Sequence, residues 1–90
     1  MIGASVKPII ALVNILKDPE FFTSDTDRLE VVTNGLKALR LLSSEKPNAQ
    51  KLIQDYNLML KHVLDILEEC ANFPEIMEEG TELVTNLTRF

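Results

Sequence analysis

The sequence contains no tryptophan, one tyrosine and three glycines among its 90 residues. With aromatic residues at only 6% of the chain, leucine, isoleucine and valine must form most of any hydrophobic core. Glycine is scarce and no Asn-Gly or Asp-Gly dipeptide lies between alternating strands, which counts against β-hairpins. A hydrophobic content of 46% is nevertheless typical of a folded globular protein. These features favour a single helical domain over 1–90.

Basic clusters are also missing. The chain has 9 Lys and Arg residues against 14 Asp and Glu, giving a net charge of −5, and its densest basic pair is Lys37 with Arg40. Nucleic-acid affinity depends mainly on phosphate contacts from basic side chains, so we expect no DNA or RNA partner. The same charge argument applies to anionic lipid surfaces, so we expect no membrane partner either.

Side chains that could carry chemistry are few. Cys70 is the single cysteine and His62 the single histidine, and neither has a second ligand at metal-binding spacing. We interpret both as packing residues, and the acidic pairs at 68–69 and 78–79 as solvated surface. No phosphate-binding loop or nucleophile motif is present. The sequence therefore predicts no enzyme activity, no metal and no cofactor.

The lone cysteine also bears on location. It cannot form an internal disulfide, which favours a reducing compartment. The start of the chain has no basic segment before its apolar run, and Asp18 comes too early for a membrane-spanning helix. We expect an intracellular protein, located in the cytoplasm.

Apolar residues recur along the chain at the three- and four-residue spacing of α-helices. Proline follows Asp18, Lys46 and Phe73, and each of these positions is expected to separate two helices. No segment requires a strand. The sequence thus predicts an all-α fold whose helices cover about 5–17, 27–43, 48–55, 58–70 and 74–89.

The spacing also predicts which residues form the core. The leucines expected to be among the most buried are Leu36, Leu39, Leu64 and Leu67. Gly35 lies inside the second helix, where glycine costs roughly 1 kcal/mol relative to alanine. We therefore expect a crossing helix to approach closely at Gly35. Ser5 is a candidate N-cap of the first helix.

Short segments of the sequence are echoed later in the chain. Residues 13–17 (VNILK) are echoed by 64–68 (LDILE), an offset of 51, and residues 30–34 (EVVTN) by 82–86 (ELVTN), an offset of 52. An alternative register pairs 38–42 with 83–87, an offset of 45. Offsets of this size are typical of helical-repeat proteins.

These segments resemble the armadillo/HEAT family of helical repeats. Residues 45–53 (EKPNAQKLI) look like the first helix of an armadillo repeat, 60–67 and 3–16 like its second helix, and 35–44 like its third. The resemblance implies a right-handed superhelical repeat fragment of about five helices, with a connection near 21–28 that is about six residues longer than usual. The alternative fold is a compact four- or five-helix bundle.

The same resemblance suggests where a partner would bind. Armadillo proteins that bind extended peptides carry a Trp and, four residues later, an Asn on the third helix. The matching positions here hold Lys37 and Leu41 in one copy, and Glu82 and Asn86 in the other. Only Asn86 fits, so peptide capture of the nuclear-import-receptor kind is not implied. Asn86, with the solvent-facing Lys37 and Arg40, is a candidate protein-binding residue.

The two ends of the chain are candidates for self-association. The last residues, LTRF, end in an apolar side chain without the Gly or Asn of a finished helix. We expect a segment of a longer repeat protein, or an end that another copy covers. Repeat units complete one another's cores, so the terminal helices should expose apolar flanks. These flanks are Ile9, Ile10, Val13 and Leu16 at one end, and Leu83, Val84, Leu87 and Phe90 at the other. The second set is the candidate homo-oligomer contact.

Two functions follow from these features. The leading hypothesis is a non-catalytic protein–protein interaction or scaffold segment of a helical-repeat protein. The alternative is a self-contained helical-bundle adaptor or regulatory domain that binds an amphipathic partner helix in a groove. In both hypotheses the partner is a protein.

Overall fold

Five α-helices follow one another in the computed structural model, which describes residues 6–89. They are α1 (Lys7–Leu16), α2 (Asp25–Ser43), α3 (Lys46–Asp55), α4 (Met59–Glu69) and α5 (Pro74–Arg89). No strand occurs within these residues, so the predicted all-α class is confirmed. The predicted helix limits lie close to the observed ones. Ser5, the predicted cap of the first helix, lies outside the described residues.

The helix ends follow from local sequence chemistry. The Ser24 hydroxyl accepts a hydrogen bond from the Asp27 backbone N–H at 3.1 Å, which satisfies one of the free donors at the start of α2. Pro8 and Pro47 lie in the first turns of α1 and α3, where a missing N–H costs nothing. Pro74 opens α5 for the same reason. Capping and proline therefore fix where α1, α2, α3 and α5 begin.

The helices pack as a ring of neighbours around one core. α1 contacts α2 and α4, α2 contacts α5, and α4 contacts α5, while α3 lies against α2, α4 and α5. The radius of gyration is 12.3 Å, close to the roughly 12 Å expected for a compact domain of this length. The structure therefore fits the predicted alternative of a compact five-helix bundle.

The core is aliphatic, as the composition predicts. Leu36, Leu39 and Leu67 are buried, which confirms their predicted positions. The prediction for Leu64 is wrong, because its side chain is 52% exposed. α4 carries leucine on several sides, so its sequence contains two overlapping apolar stripes. Contact with α1 and α5 selects the stripe of Met59, Val63, Ile66 and Leu67.

Both helical glycines mark close helix crossings. A Cβ atom added to Gly35 would lie 2.8 Å from Leu16 Cδ1, so α1 crosses α2 at this point. A Cβ atom added to Gly80 would overlap Leu67 Cδ2, so α4 crosses α5 there. The predicted close approach at Gly35 is confirmed. The same leucine-on-glycine contact therefore occurs twice in the chain, once in each helix pair.

Candidate interaction surfaces

Polar contacts join α2 to α5. Arg40 Nε lies 2.7 Å from Glu79 Oε2 and 3.5 Å from Glu82 Oε2. The Arg40 and Glu79 side chains are 24% and 20% exposed, so this ion pair is more shielded than an ordinary surface pair. Arg40, predicted to face solvent as a protein-binding residue, is thus engaged within the chain. Lys37, the other basic residue among the predicted protein-binding residues, is exposed on α2.

Asn86 lies at the centre of this contact. It is only 7% exposed, and its Nδ2 atom donates to the Arg40 carbonyl oxygen at 3.0 Å and to Ser43 Oγ at 3.2 Å. Arg89 donates to Asn86 Oδ1 at 2.9 Å. Asn86 therefore satisfies two polar groups at the end of α2, one of which, Ser43, is fully buried. Its predicted role as a partner contact stays a prediction, and its side-chain amide is already occupied.

Replacing Asn86 by alanine is expected to lower the free energy of unfolding by roughly 1–3 kcal/mol, because buried acceptors lose their donor. Asn14 is the matched control, since it lies exposed on α1 and the Asn14→Ala change alters only helix propensity. Urea denaturation of both variants measures the difference. Equal midpoints would show that the Asn86 contacts add nothing to stability.

Tyr56 and His62 form a second polar contact. The Tyr56 hydroxyl lies 2.6 Å from His62 Nδ1, and Tyr56 is only 5% exposed. Burial lowers the pKa of His62, with smaller contributions from Lys17 and Lys61, while burial raises the pKa of Tyr56. The Tyr56 hydroxyl can donate to His62 Nδ1 when the imidazole carries its proton on Nε2. This geometry holds the start of α4 in place.

Cys70 lies apart from the histidine. Its side chain is 2% exposed and burial raises the pKa of the Cys70 thiol, so the thiol stays protonated and nucleophilically weak. Within 6–89, no group of three His, Cys, Asp or Glu side chains could hold a metal ion. The described part of the chain also includes no helix that is both long and apolar enough to cross a membrane.

Apolar side chains are exposed beside both glycine crossings. On α1 and α2, Ile15 and Val31 are each 39% exposed, with exposed Ala38 and half-buried Leu12 beside them. Val31, Gly35 and Ala38 lie along one stripe of α2, because residues three or four apart share a helix face. We call the surface formed by Leu12, Ile15, Val31 and Ala38 the α1–α2 face.

A corresponding surface lies on the second helix pair. Leu64 is 52% exposed, and Leu60, Met77 and Val84 are half-buried. Leu60 and Leu64 share a stripe of α4 with Leu67, and Met77 and Val84 share a stripe of α5 with Gly80. We call the surface formed by Leu60, Leu64, Met77 and Val84 the α4–α5 face.

The two faces point in opposite directions. Arg40 and Asn86 mark where α2 and α5 touch. With about 100° per residue, Val31 lies about 180° round α2 from Arg40, and Met77 lies about 180° round α5 from Asn86. Each face therefore lies on the side of its helix pair that is turned away from the other pair.

The predicted exposed flanks share only Val84 with these two faces. Leu83 is fully buried and Leu87 is 5% exposed, so the expectation that they are exposed for self-association is wrong. α5 turns these two leucines inward against the core, and only Val84 remains partly accessible. In the predicted flank near the start of the chain, Val13 and Leu16 are buried as well. Phe90 lies outside the described residues.

Sequence reasoning missed Ile15, Val31 and Leu64 as surface residues. Each is apolar and lies beside a helix stripe that reaches the core, so hydrophobicity alone could not distinguish them from core residues. The echo of 13–17 in 64–68 was the available signal, because it aligns Val13 with Leu64 and Ile15 with Ile66. No protein-family model, curated protein or solved structure matches the chain.

Proposed function

We propose that the chain is a non-catalytic protein–protein interaction segment of an armadillo/HEAT-type helical solenoid, acting inside the cell. In this proposal α1–α2 and α4–α5 are two stacked units, and α3 is an additional helix of the second unit. The neighbour relations support this arrangement, since α1 lies against α4 and α2 against α5. Stacked repeats place equivalent helices side by side in this way.

The glycine crossings support the same pairing of units. Leu16 and Leu67 are 51 positions apart, and Gly35 and Gly80 are 45 positions apart. Both offsets were among the echoes of the sequence. Their difference equals the six extra residues between the crossing leucine and glycine of the first unit. A longer α1–α2 connection thus accounts for the different offsets of the crossing leucines and the crossing glycines.

The observation that carries the proposal is that residues at equivalent positions of the two units differ in burial. In the first unit, which packs against the second, four residues are 0–2% exposed. They are Val13, Val32, Leu36 and Leu39. Their equivalents in the second unit are exposed or half-buried. In the same order, they are Leu64, Met77, Thr81 and Val84.

On the other side of the units the difference is reversed: the residues of the second unit are buried, and their equivalents in the first unit are exposed. In the second unit, four residues that face the first unit are 0–7% exposed, namely Ile66, Ile76, Leu83 and Asn86. Their equivalents in the first unit are all exposed. In the same order, they are Ile15, Val31, Ala38 and Leu41. A repeat stacked in one direction produces this pattern, because each unit covers one side of its predecessor.

The α1–α2 face and the α4–α5 face are therefore the surfaces that we expect a protein partner to cover. Exposed apolar side chains clustered at such faces gain about 25 cal/mol per Å² when they are removed from water. The shared core of all five helices also suits the alternative function, an adaptor that holds an amphipathic helix against one of these faces. In either case the interaction is made by the helix sides and involves no catalytic group.

Site-specific photocrosslinking of the whole chain in cells tests this function. A benzoyl-phenylalanine in place of Ile15 or Leu64 is expected to give protein adducts, and the same residue in place of Gln54 on the exposed side of α3 serves as the control. Mass spectrometry of the adducts identifies what covers each face. Adducts no more abundant at 15 and 64 than at 54 would contradict a role in protein binding.

A further inference from the structure

We propose that the α4–α5 face of one molecule binds the α1–α2 face of a second molecule, so that copies of the chain associate head to tail. This inference rests on the proposed two-unit organisation and names a second copy as the occupant of both faces. It differs from association through the C-terminal helix alone, because Leu83 and Leu87 are buried within their own chain.

The contact inside the chain provides the template for this association. There, α1 packs against α4 and α2 against α5, and the residues buried in these helices include Val13, Leu36 and Leu39 of the first unit and Ile66 and Leu83 of the second. The α4–α5 face carries equivalents of the first-unit residues, Leu64 and Val84. The α1–α2 face carries equivalents of the second-unit residues, Ile15 and Ala38.

The two free faces are thus the equivalents of the two sides of one existing contact. A surface that pairs with itself would need a two-fold axis and the same residues on both sides. Here the two complementary surfaces lie on opposite sides of one molecule. A second copy therefore presents, to each face, the surface that is complementary to it. The resulting contact is directional.

The charges permit this contact. Inside the chain, Arg40 of the first unit meets Glu79 and Glu82 of the second. At the equivalent positions between copies, Thr85 replaces the arginine, and Asn34 and Lys37 replace the two glutamates. No acidic residue is opposed to another at these three positions.

The association is expected to depend strongly on concentration. α3 packs against α2, α4 and α5 and so reinforces the contact between units within the chain. A contact between separate copies is bimolecular, so its extent depends on their concentration. A directional contact that does not close into a ring produces chains of increasing length, so the average mass should continue to rise beyond a dimer.

Two surface variants test the proposal by complementation. Ile15→Asp damages the α1–α2 face and leaves the α4–α5 face intact, while Leu64→Asp does the reverse. Sedimentation of the unaltered chain over a concentration series should show association. Each variant alone should associate at least about tenfold more weakly, because a charge is placed in an apolar contact. An equimolar mixture of the two should form a one-to-one complex that grows no further.

Circular dichroism melts establish that each variant is folded, and Leu64→Ser replaces Leu64→Asp if the aspartate unfolds the chain. Gln54→Asp, an exposed change on α3, should associate like the unaltered chain. Any of three results overturns the proposal: an unaltered chain that stays monomeric at every concentration, a single variant that dimerises at full strength, or a mixture that does not pair. If photocrosslinks still reach another protein, only the head-to-tail inference fails and the proposed function stands.

Discussion

Ile66→Asp is expected to unfold the chain, whereas Ile15→Asp is expected to leave it folded. The two isoleucines are equivalent in the proposed repeat, and both lie in the last turn of their helices. Ile66 is fully buried and Ile15 is 39% exposed. An unpaired buried carboxylate costs several kcal/mol, which is comparable with the roughly 5–15 kcal/mol that stabilise a whole domain.

At Ile15 the carboxylate stays in water, so the cost is about 1 kcal/mol or less, part of it from the helix dipole. Thermal melts followed by circular dichroism measure both variants under the same conditions. Because the substitution, the helix position and the proposed equivalence are matched, only the burial differs. Similar melting temperatures for the two variants would show that the difference in burial between the two units is not real.

Leu36→Ala has the second largest expected effect. Leu36 is fully buried in α2, so its truncation removes apolar contacts and leaves a cavity that costs roughly 2–5 kcal/mol. For a domain of this length, the midpoint of thermal unfolding should fall by at least about 8 °C. A folded fraction that is already reduced at room temperature would be consistent with the upper end of this range.

Leu41→Ala is the control for this experiment. Leu41 lies on the same helix but is 56% exposed, so its truncation should change the free energy of unfolding by no more than about 0.5 kcal/mol. Urea titration of the two variants gives the comparison directly. A Leu36 variant as stable as the Leu41 variant would place the core elsewhere.

Two of the candidate binding residues form a contact within the chain that the sequence did not predict. Asn86 and Arg40 were both singled out, and the structure brings them together at the α2–α5 contact. Asn86 is buried there and donates two hydrogen bonds to the end of α2. The sequence could not show this, because an asparagine on a helix looks the same whether it meets a partner or the next helix. The distinction depends on which surface another helix covers.

The helices and their order were determined by the sequence alone. Proline positions and the spacing of apolar residues are local features, and each acts over a few residues of the chain. The position of Gly35 likewise predicted a close crossing, because glycine inside a helix has little other use. Leu36 and Leu39 were identified as core because they recur on the central stripe of the longest helix.

Only the tertiary structure decided which side of α4 and α5 faces inward. Leu64 and Ile66 are two residues apart and equally apolar, yet one is 52% exposed and the other is fully buried. The same ambiguity misplaced Leu83 and Leu87, which the sequence assigned to an exposed flank. A helix with apolar residues on several sides has no preferred orientation of its own, since burial gains a similar free energy on each side. The neighbours that pack against it fix its rotation, through contacts such as Leu67 on Gly80 and Asn86 on Arg40.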